Sequence, residues 1–349
     1  MILLLDVPVL VVLILVTVGA LLLVHYAKAT PWVLVMAIAV LATGLAFGAT
    51  MWMGSLFAGM RALAWYLFLV LPVHLGLYAA YVQDWERWVA GVLAGLAVLV
   101  GIDAFFIEPA WLTVRTERVV SDKVDEPLTI AILADIQTDH PGAYERRAIR
   151  LALDADPDLV LLPGDYIQHP HPEVNRRLRA ELRAIFREEG LAAPLGVYAV
   201  QGNVDHPRAW VDLFDGLPVQ ADVRTTAHPG EPVSVTTLSF DDGFHAGAKI
   251  EVQPGFHVAM AHAPDFALGQ VDADLLVAGH THGGQVQVPI LGPLITFSQV
   301  PNGWASGRTD LPGGRTLVVS RGIGMERDHA PRLRFWCRPE VVIVEVVPR

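Results

Sequence analysis

Four long apolar stretches, at residues 2–24, 32–53, 62–82 and 88–107, constrain the first third of this chain before any motif is considered. Each is close to the ~20 residues that a helix needs to cross ~30 Å of hydrocarbon. Up to residue 110 the only charges are Asp6, Lys28, Arg61, Asp84, Glu86, Arg87, Asp103 and Glu108. Trp32, Trp52, Trp65, Tyr81, Trp85 and Trp88 fall near the ends of the stretches, where amphipathic rings favour the membrane–water boundary. The sequence therefore predicts an N-terminal α-helical transmembrane bundle of about four helices over residues 1–107, an integral, multi-pass arrangement with the lipid bilayer as partner. The first stretch lacks the basic leader and small-residue cleavage site of a secretory signal, so it reads as a retained anchor. Asp6 and Asp103 lie close enough to span ends to reach water, and no paired repeats stand out, so the helices predict attachment rather than transport. With an even number of spans, both chain ends share one side. That side carries Arg61, Arg115, Arg118 and Lys123 against Lys28 and Arg87, which points to a cytoplasmic catalytic part; a different span count would reverse it.

Residues 108–127 read as a connector and 128–349 as a second domain of different character. The chain's net charge is −11, and nearly all of it lies beyond residue 110. Such an acidic balance argues against a general nucleic-acid surface, which needs clustered Lys and Arg. Cys337 is the only cysteine, so neither an intrachain disulfide nor a cysteine-based zinc cluster is available. Val-, Leu- and Ile-rich runs at 128–134, 158–162, 197–201, 233–239, 257–261, 274–278, 285–289, 316–320 and 341–347 predict strands, with helices at 143–155 and 173–188. The opening β-α-β-α-β order and the strand-rich remainder predict a mixed α/β sandwich.

Polar residues fall directly after successive strands. Asp135 follows "LTIAILA", Asp165 follows "DLVLLPG", Asn203 follows "VYAVQG", His262 follows "HVAMA", and His280 and His282 follow "DLLVAG". In a parallel sheet the carboxyl ends share one edge, where α/β folds place their ligand crevice. Carboxylates, carboxamides and imidazoles without thiolates suit hard or borderline divalent metals. Alone, each of these residues has an ordinary reading as a turn former or surface histidine. "GHTHGGQ" is more specific, since His280 and His282 share one side of an extended segment whose glycines permit close backbone approach.

Five ordered blocks, "ADIQ", "PGD", "QGNVD", "AHAPD" and "AGHTHGGQ", resemble the calcineurin-like metallophosphoesterase superfamily over roughly residues 125–349. The ending "VSRGIGMERDHAPRLRFWCRPE" further resembles its membrane-associated bacterial phosphodiesterase branch. The resemblance implies a four-layer α-β-β-α sandwich with a dinuclear metal centre. Asp135, Gln137, Asp165 and His282 would hold one ion, and Asp165, Asn203, His262 and His280 the other, with Asp165 bridging. Two such cations would share and acidify a water that attacks phosphorus. The implied cofactors are two divalent ions, Mn2+ first, with Zn2+, Fe2+ or Mg2+ as alternatives.

Two positions depart from that pattern. Gln137 stands where most members have a histidine; its amide oxygen is a harder ligand that favours manganese- or magnesium-like ions. Val204 stands where a histidine commonly protonates the leaving group or orients the phosphate; His206 or His140 could replace it as catalytic acid from a neighbouring position, with an ordinary surface role as the alternative for each. A missing acid, ordinarily worth ~10²–10⁴-fold, is tolerable when the leaving group is already good. The expected activity is hydrolysis of a phosphodiester or pyrophosphate bond in a phosphate-containing small-molecule or lipid-linked substrate, such as the lipid A precursors handled by relatives in that branch. The alternative is a catalytically degenerate nucleotide- or phospholipid-binding membrane sensor. Arg321, Arg332, Arg334 and Arg338 read as solvated charges, and His169 and His171 as part of an extended loop near the mouth.

Overall fold

The computed structural model describes residues 50–349 apart from 208, 222, 223 and 231, together with 19, 44 and 46–48. Most of the stretches 2–24 and 32–53 lies outside the described residues. Two compact units are distinguished, dividing at residues 105 and 106, with 329–332 belonging to the first.

In the first unit, two helices are long and apolar enough to cross a membrane, Leu56–Ala80 and Asp84–Ala110, the latter running on into the second unit. Their mean hydropathies are 1.8 and 2.3. The second begins with Asp84 and Glu86 in its first turn, where carboxylates oppose the helix dipole favourably. Its apolar side chains face outward rather than into a core: Val92 is 60% exposed and Leu99 64%.

Among the described residues, the second unit is built on sixteen strands in chain order. They are β1 (Thr113–Ser121), β2 (Leu128–Ile132), β3 (Leu159–Leu162), β4 (Val197–Ala199), β5 (Val219–Ala221), β6 (Thr225–Gly230), β7 (Val233–Thr237) and β8 (Lys249–Ile250). There follow β9 (Phe256–Met260), β10 (Gln270–Val271), β11 (Leu275–Ala278), β12 (Gln287–Val288), β13 (Gly292–Pro293), β14 (Gly307–Leu311), β15 (Arg315–Val319) and β16 (Glu340–Pro348). Two six-stranded sheets result, ordered β1-β16-β2-β3-β4-β5 and β14-β15-β11-β9-β7-β6. β2 to β5 run parallel, as do β7, β9, β11 and β15.

Alternation within single strands explains the layering, because successive side chains point to opposite faces. Ile130, Ile132, Leu159 and Leu161 enter the core between the sheets with Val258, Met260, Val277 and Val318. Their neighbours Ala131, Leu133, Val160 and Leu162 pack beneath Leu178, Leu182 and Phe186. Those three residues form the buried face of the helix Pro172–Glu188, which with Ala143–Leu153 covers the first sheet. The outer face of the second sheet is covered more thinly. There Ala259, Leu276 and Leu317 lie under Phe266, which belongs to the short 3-10 segment Pro264–Leu268. The connections flanking β9 are short and interrupted by Gly243, Gly247, Gly255, Pro264 and Gly269, so no long helix forms in the fourth layer.

Within the stretch read as a connector, residues 113–121 form β1, an edge strand parallel to β16. Its Arg115, Glu117 and Arg118 mask the strand signal, and charges of this kind are common on sheet edges.

Candidate metal centre

The parallel strands bring their carboxyl ends to one edge, and the loops leaving them interlock. Asp135 N donates to Gly164 O at 3.2 Å, and Gln137 N to Asp165 O at 2.8 Å, which extends β2–β3 pairing into the two loops. His262 Nδ1 lies 2.7 Å from Pro163 O and ties the second sheet to the first. The backbone is held in the left-handed region at Asp135, Gln137, Asp165, His280 and His282. Such conformations are costly for residues with a Cβ and tend to cluster where function requires them.

All seven sequence candidates converge. Asp135, Asp165 and His282 offer ligand atoms within 4.8 Å of one another, and all three are buried. Asp135 accepts the His280 backbone N–H at 3.0 Å and Asp165 accepts that of Val204 at 2.9 Å. Gln137 is fully buried, and its amide nitrogen donates to Gln168 Oε1 and Glu326 Oε2, each at 3.0 Å. A carboxylate can only accept, so Glu326 dictates which end of the amide faces it. The opposite end, Oε1, is buried and has no hydrogen-bond partner among the described residues, and the same is true of His282 Nε2.

The second cluster is equally short of protons. His262 points Nδ1 at Pro163 O and Nε2 at Asn203 Oδ1, 2.8 Å away, with Asp165 Oδ2 at 3.5 Å. His280 points Nε2 at Phe297 O, 3.1 Å away, and Nδ1 at the same Asn203 oxygen, 2.9 Å away. Each ring gives its N–H to a carbonyl, which leaves two imidazole lone pairs aimed at one amide oxygen. A cation would satisfy this arrangement, as would the Asn203 carboxamide turned to place its Nδ2 there.

Electrostatics agree with the geometry. Burial pushes the Asp135 carboxyl up to about 8, against the opposing pull of the His280 amide and the Arg334 guanidinium. Asp165 is held well above the usual carboxylate range by burial, then by Asp205 and Asp135. His262 and His282 fall well below the ordinary imidazole value through burial, so both are neutral and able to ligate. The residues present therefore fit two divalent ions, Asp135, Gln137, Asp165 and His282 on one side and Asp165, Asn203, His262 and His280 on the other.

Several supporting residues were not singled out by sequence reasoning. Asp205, buried, accepts the backbone N–H groups of Asp165, Tyr166 and Gly202 at 2.8, 3.0 and 2.8 Å and so locks two loops together. The "QGNVD" block contained it, but nothing marked it as more than a turn former. Its neighbour His206 is exposed, its carbonyl receiving Ala209 N and Trp210 N. His140 is 87% exposed and pairs with Asp139. Arg334 corrects the solvated-charge reading: it is fully buried and donates to the carbonyls of Arg321 and Cys337 at 2.8 and 2.9 Å and to that of Gly324. Its guanidinium sits 3.5 Å from His282 Nδ1. Gly202 admits the Asp165 carboxylate, since a Cβ there would lie 2.1 Å from Asp165 Oδ1.

Residues 128–284 match the family model of the calcineurin-like phosphoesterases. The metallophosphoesterase YkuE of Bacillus subtilis is 29% identical over 206 residues, covering 54% of this chain and 68% of its own. The phosphodiesterase YaeI of Escherichia coli is 27% identical over 257 residues, covering 69% and 91%. A dimetal phosphatase from Danio rerio overlaps 56% of this chain and 88% of its own at 12% identity, with a TM-score of 0.36.

Proposed function

We propose, starting from a metal-dependent phosphoesterase of the calcineurin-like superfamily, that this chain is a membrane-anchored phosphohydrolase that cleaves a phosphodiester or pyrophosphate bond in a lipid- or nucleotide-linked substrate. The observation that carries the reading is the convergence of unshared ligand atoms, above all the buried, unpartnered Oε1 of Gln137 and Nε2 of His282. Two divalent ions bound there would supply an acidified water as nucleophile and positive charge for the phosphoryl oxygens.

The chain's own residues set the rest. Asp165 offers a carboxylate to both clusters, and Asp205 fixes it through the backbone. Gln137 contributes a neutral oxygen in place of an imidazole, which favours Mn2+ over softer ions. Val204 spends its backbone N–H on Asp165 and has no side-chain proton to give a departing oxygen. Substrates whose leaving group departs without protonation, such as a nucleotide phosphate, suit this site. The name of the Escherichia coli relative supports diester cleavage. The two apolar helices support anchoring at a bilayer, with manganese, a cytoplasmic catalytic side and a lipid-linked substrate as parts of the same proposal.

Hydrolysis of bis-p-nitrophenyl phosphate by the full chain, with and without added Mn2+, tests the reading against an Asp165→Asn variant. Metal-dependent turnover that the variant lacks supports it. Equal rates in both proteins would leave the membrane-sensor reading in its place.

A further inference from the structure

One segment beside the metal centre breaks local folding rules. From Gly283 to Gly307 the chain contains no Asp, Glu, Lys or Arg. In its middle β12 and β13 form a small hairpin, paired Gln287 to Pro293 and Val288 to Gly292. Leu291 N donates to Val288 O at 3.1 Å, closing a turn with Pro289 second and Ile290 third. Ile290 has φ of 73°, a value that such a turn ordinarily reserves for glycine. A β-branched residue there is strained, and this one is entirely exposed, so burial within the chain offsets nothing. Leu291, Leu294 and Phe297 are 69%, 61% and 51% exposed beside it.

The apolar tip stands on a base fixed to the metal loops. Phe297 supplies the carbonyl facing His280 Nε2, and buried Asp265 holds Ser298 Oγ and Gln299 N. Gly284 of "GHTHGGQ" lies so close to the hairpin that a Cβ would come within 2.6 Å of Pro293. The tip thus projects from the metal centre itself.

We propose that Ile290, Leu291, Leu294 and Phe297 insert into the acyl region of a lipid leaflet and hold the metal centre at the headgroup level, where an acyl-chain-bearing phosphoester presents its phosphate. The inference rests on the membrane-anchored phosphohydrolase reading and narrows its substrate to an amphiphile. A lipid surface is favoured over a protein partner because the four tip residues include none of the Arg, Tyr or Trp anchors that dominate protein interfaces. Aliphatic side chains and one aromatic ring are what an interfacial anchor presents to lipid.

Cys337 is the sole cysteine and is buried, so an Ile290→Cys variant of the full chain takes a single fluorescent label. In phosphatidylcholine–phosphatidylglycerol nanodiscs the label should be quenched by nitroxides on the acyl chains and shielded from aqueous iodide. A label open to iodide, or shielded from both quenchers as a protein partner or second copy would leave it, overturns the proposal. Ile290→Gly and Leu291→Asp supply the kinetic arm. Both should raise KM for a long-chain phosphodiester in nanodiscs by about tenfold, the effect of withdrawing one apolar side chain from lipid. Turnover of bis-p-nitrophenyl phosphate should stay unchanged, and Ile290→Gly should keep or gain thermal stability because glycine accepts the turn. Unchanged KM, or loss on both substrates, overturns the role of the tip. Failure of the phosphohydrolase reading looks different: neither substrate is hydrolysed, whatever the quenching shows.

Discussion

Glu326→Leu is expected to weaken binding at the first metal position without unfolding the protein. In the native chain the Glu326 carboxylate and Gln168 Oε1 each accept one hydrogen bond from the Gln137 amide at 3.0 Å. Removing the carboxylate deletes a charge-assisted bond worth ~1.5–3 kcal/mol and lets the amide turn its nitrogen toward Asp135 and Asp165. At 1.4 kcal/mol per factor of ten, the affinity for Mn2+ should fall by roughly 10–100-fold, the range found when groups that orient metal ligands are removed. Glu326→Gln keeps an acceptor oxygen but loses its charge, so its loss should be smaller. Titration calorimetry of metal-stripped protein, with circular dichroism as the check on folding, measures both. Native affinity in a folded Glu326→Leu protein would refute the claim that this carboxylate aims the Gln137 oxygen at the metal.

Gly202→Ala should lower thermal stability and abolish metal-dependent hydrolysis, because the new methyl would lie 2.1 Å from Asp165 Oδ1 and 2.3 Å from Asp165 N; metal retention at the native level would contradict this. Arg334→Met strips hydrogen bonds from the buried carbonyls of Arg321, Cys337 and Gly324 and should cost about 3 kcal/mol. Differential scanning fluorimetry should then show a drop in Tm of roughly 6–12 °C. Metal-free protein should lose stability between about pH 7 and 8. Asp135, pushed up to about 8, and Asp165 keep their protons in the folded state there, while unfolded carboxylates have lost theirs by about pH 5. Below about pH 6.5 the buried His262 and His282, their values lowered, act in the opposite sense, so the fall is read above that value. A Tm of the stripped protein that rises from pH 7 to 8 would refute this account, and added Mn2+ should remove the fall.

What the sequence revealed and what it concealed divide along physical lines. "LTIAIL" declares a strand buried on both faces, and a polar residue where each such run ends declares the site edge, because both signals are local. Asp205 and Glu326 were illegible: one works by accepting backbone N–H groups from its own loop and from a loop 40 residues away, the other by turning an amide 189 residues away. Neither role leaves a pattern in its own neighbourhood. Arg334 was misread because an arginine in an Arg-rich, Pro-rich segment normally meets water, and only the fold reveals the ring of carbonyls that receives it. β1 escaped because an edge strand tolerates charges that an interior strand does not. Gln137, ambiguous as a letter, became informative once its nitrogen was seen to be engaged and its oxygen bare.

The central claim, a two-ion centre bridged by Asp165, is tested most directly by counting divalent metal in purified, Mn2+-loaded protein by inductively coupled plasma mass spectrometry. The account predicts about two ions per native chain, as a paired site requires, and a clear deficit in Asp165→Asn. A native chain that binds no metal, or a variant that keeps the native count, would contradict it.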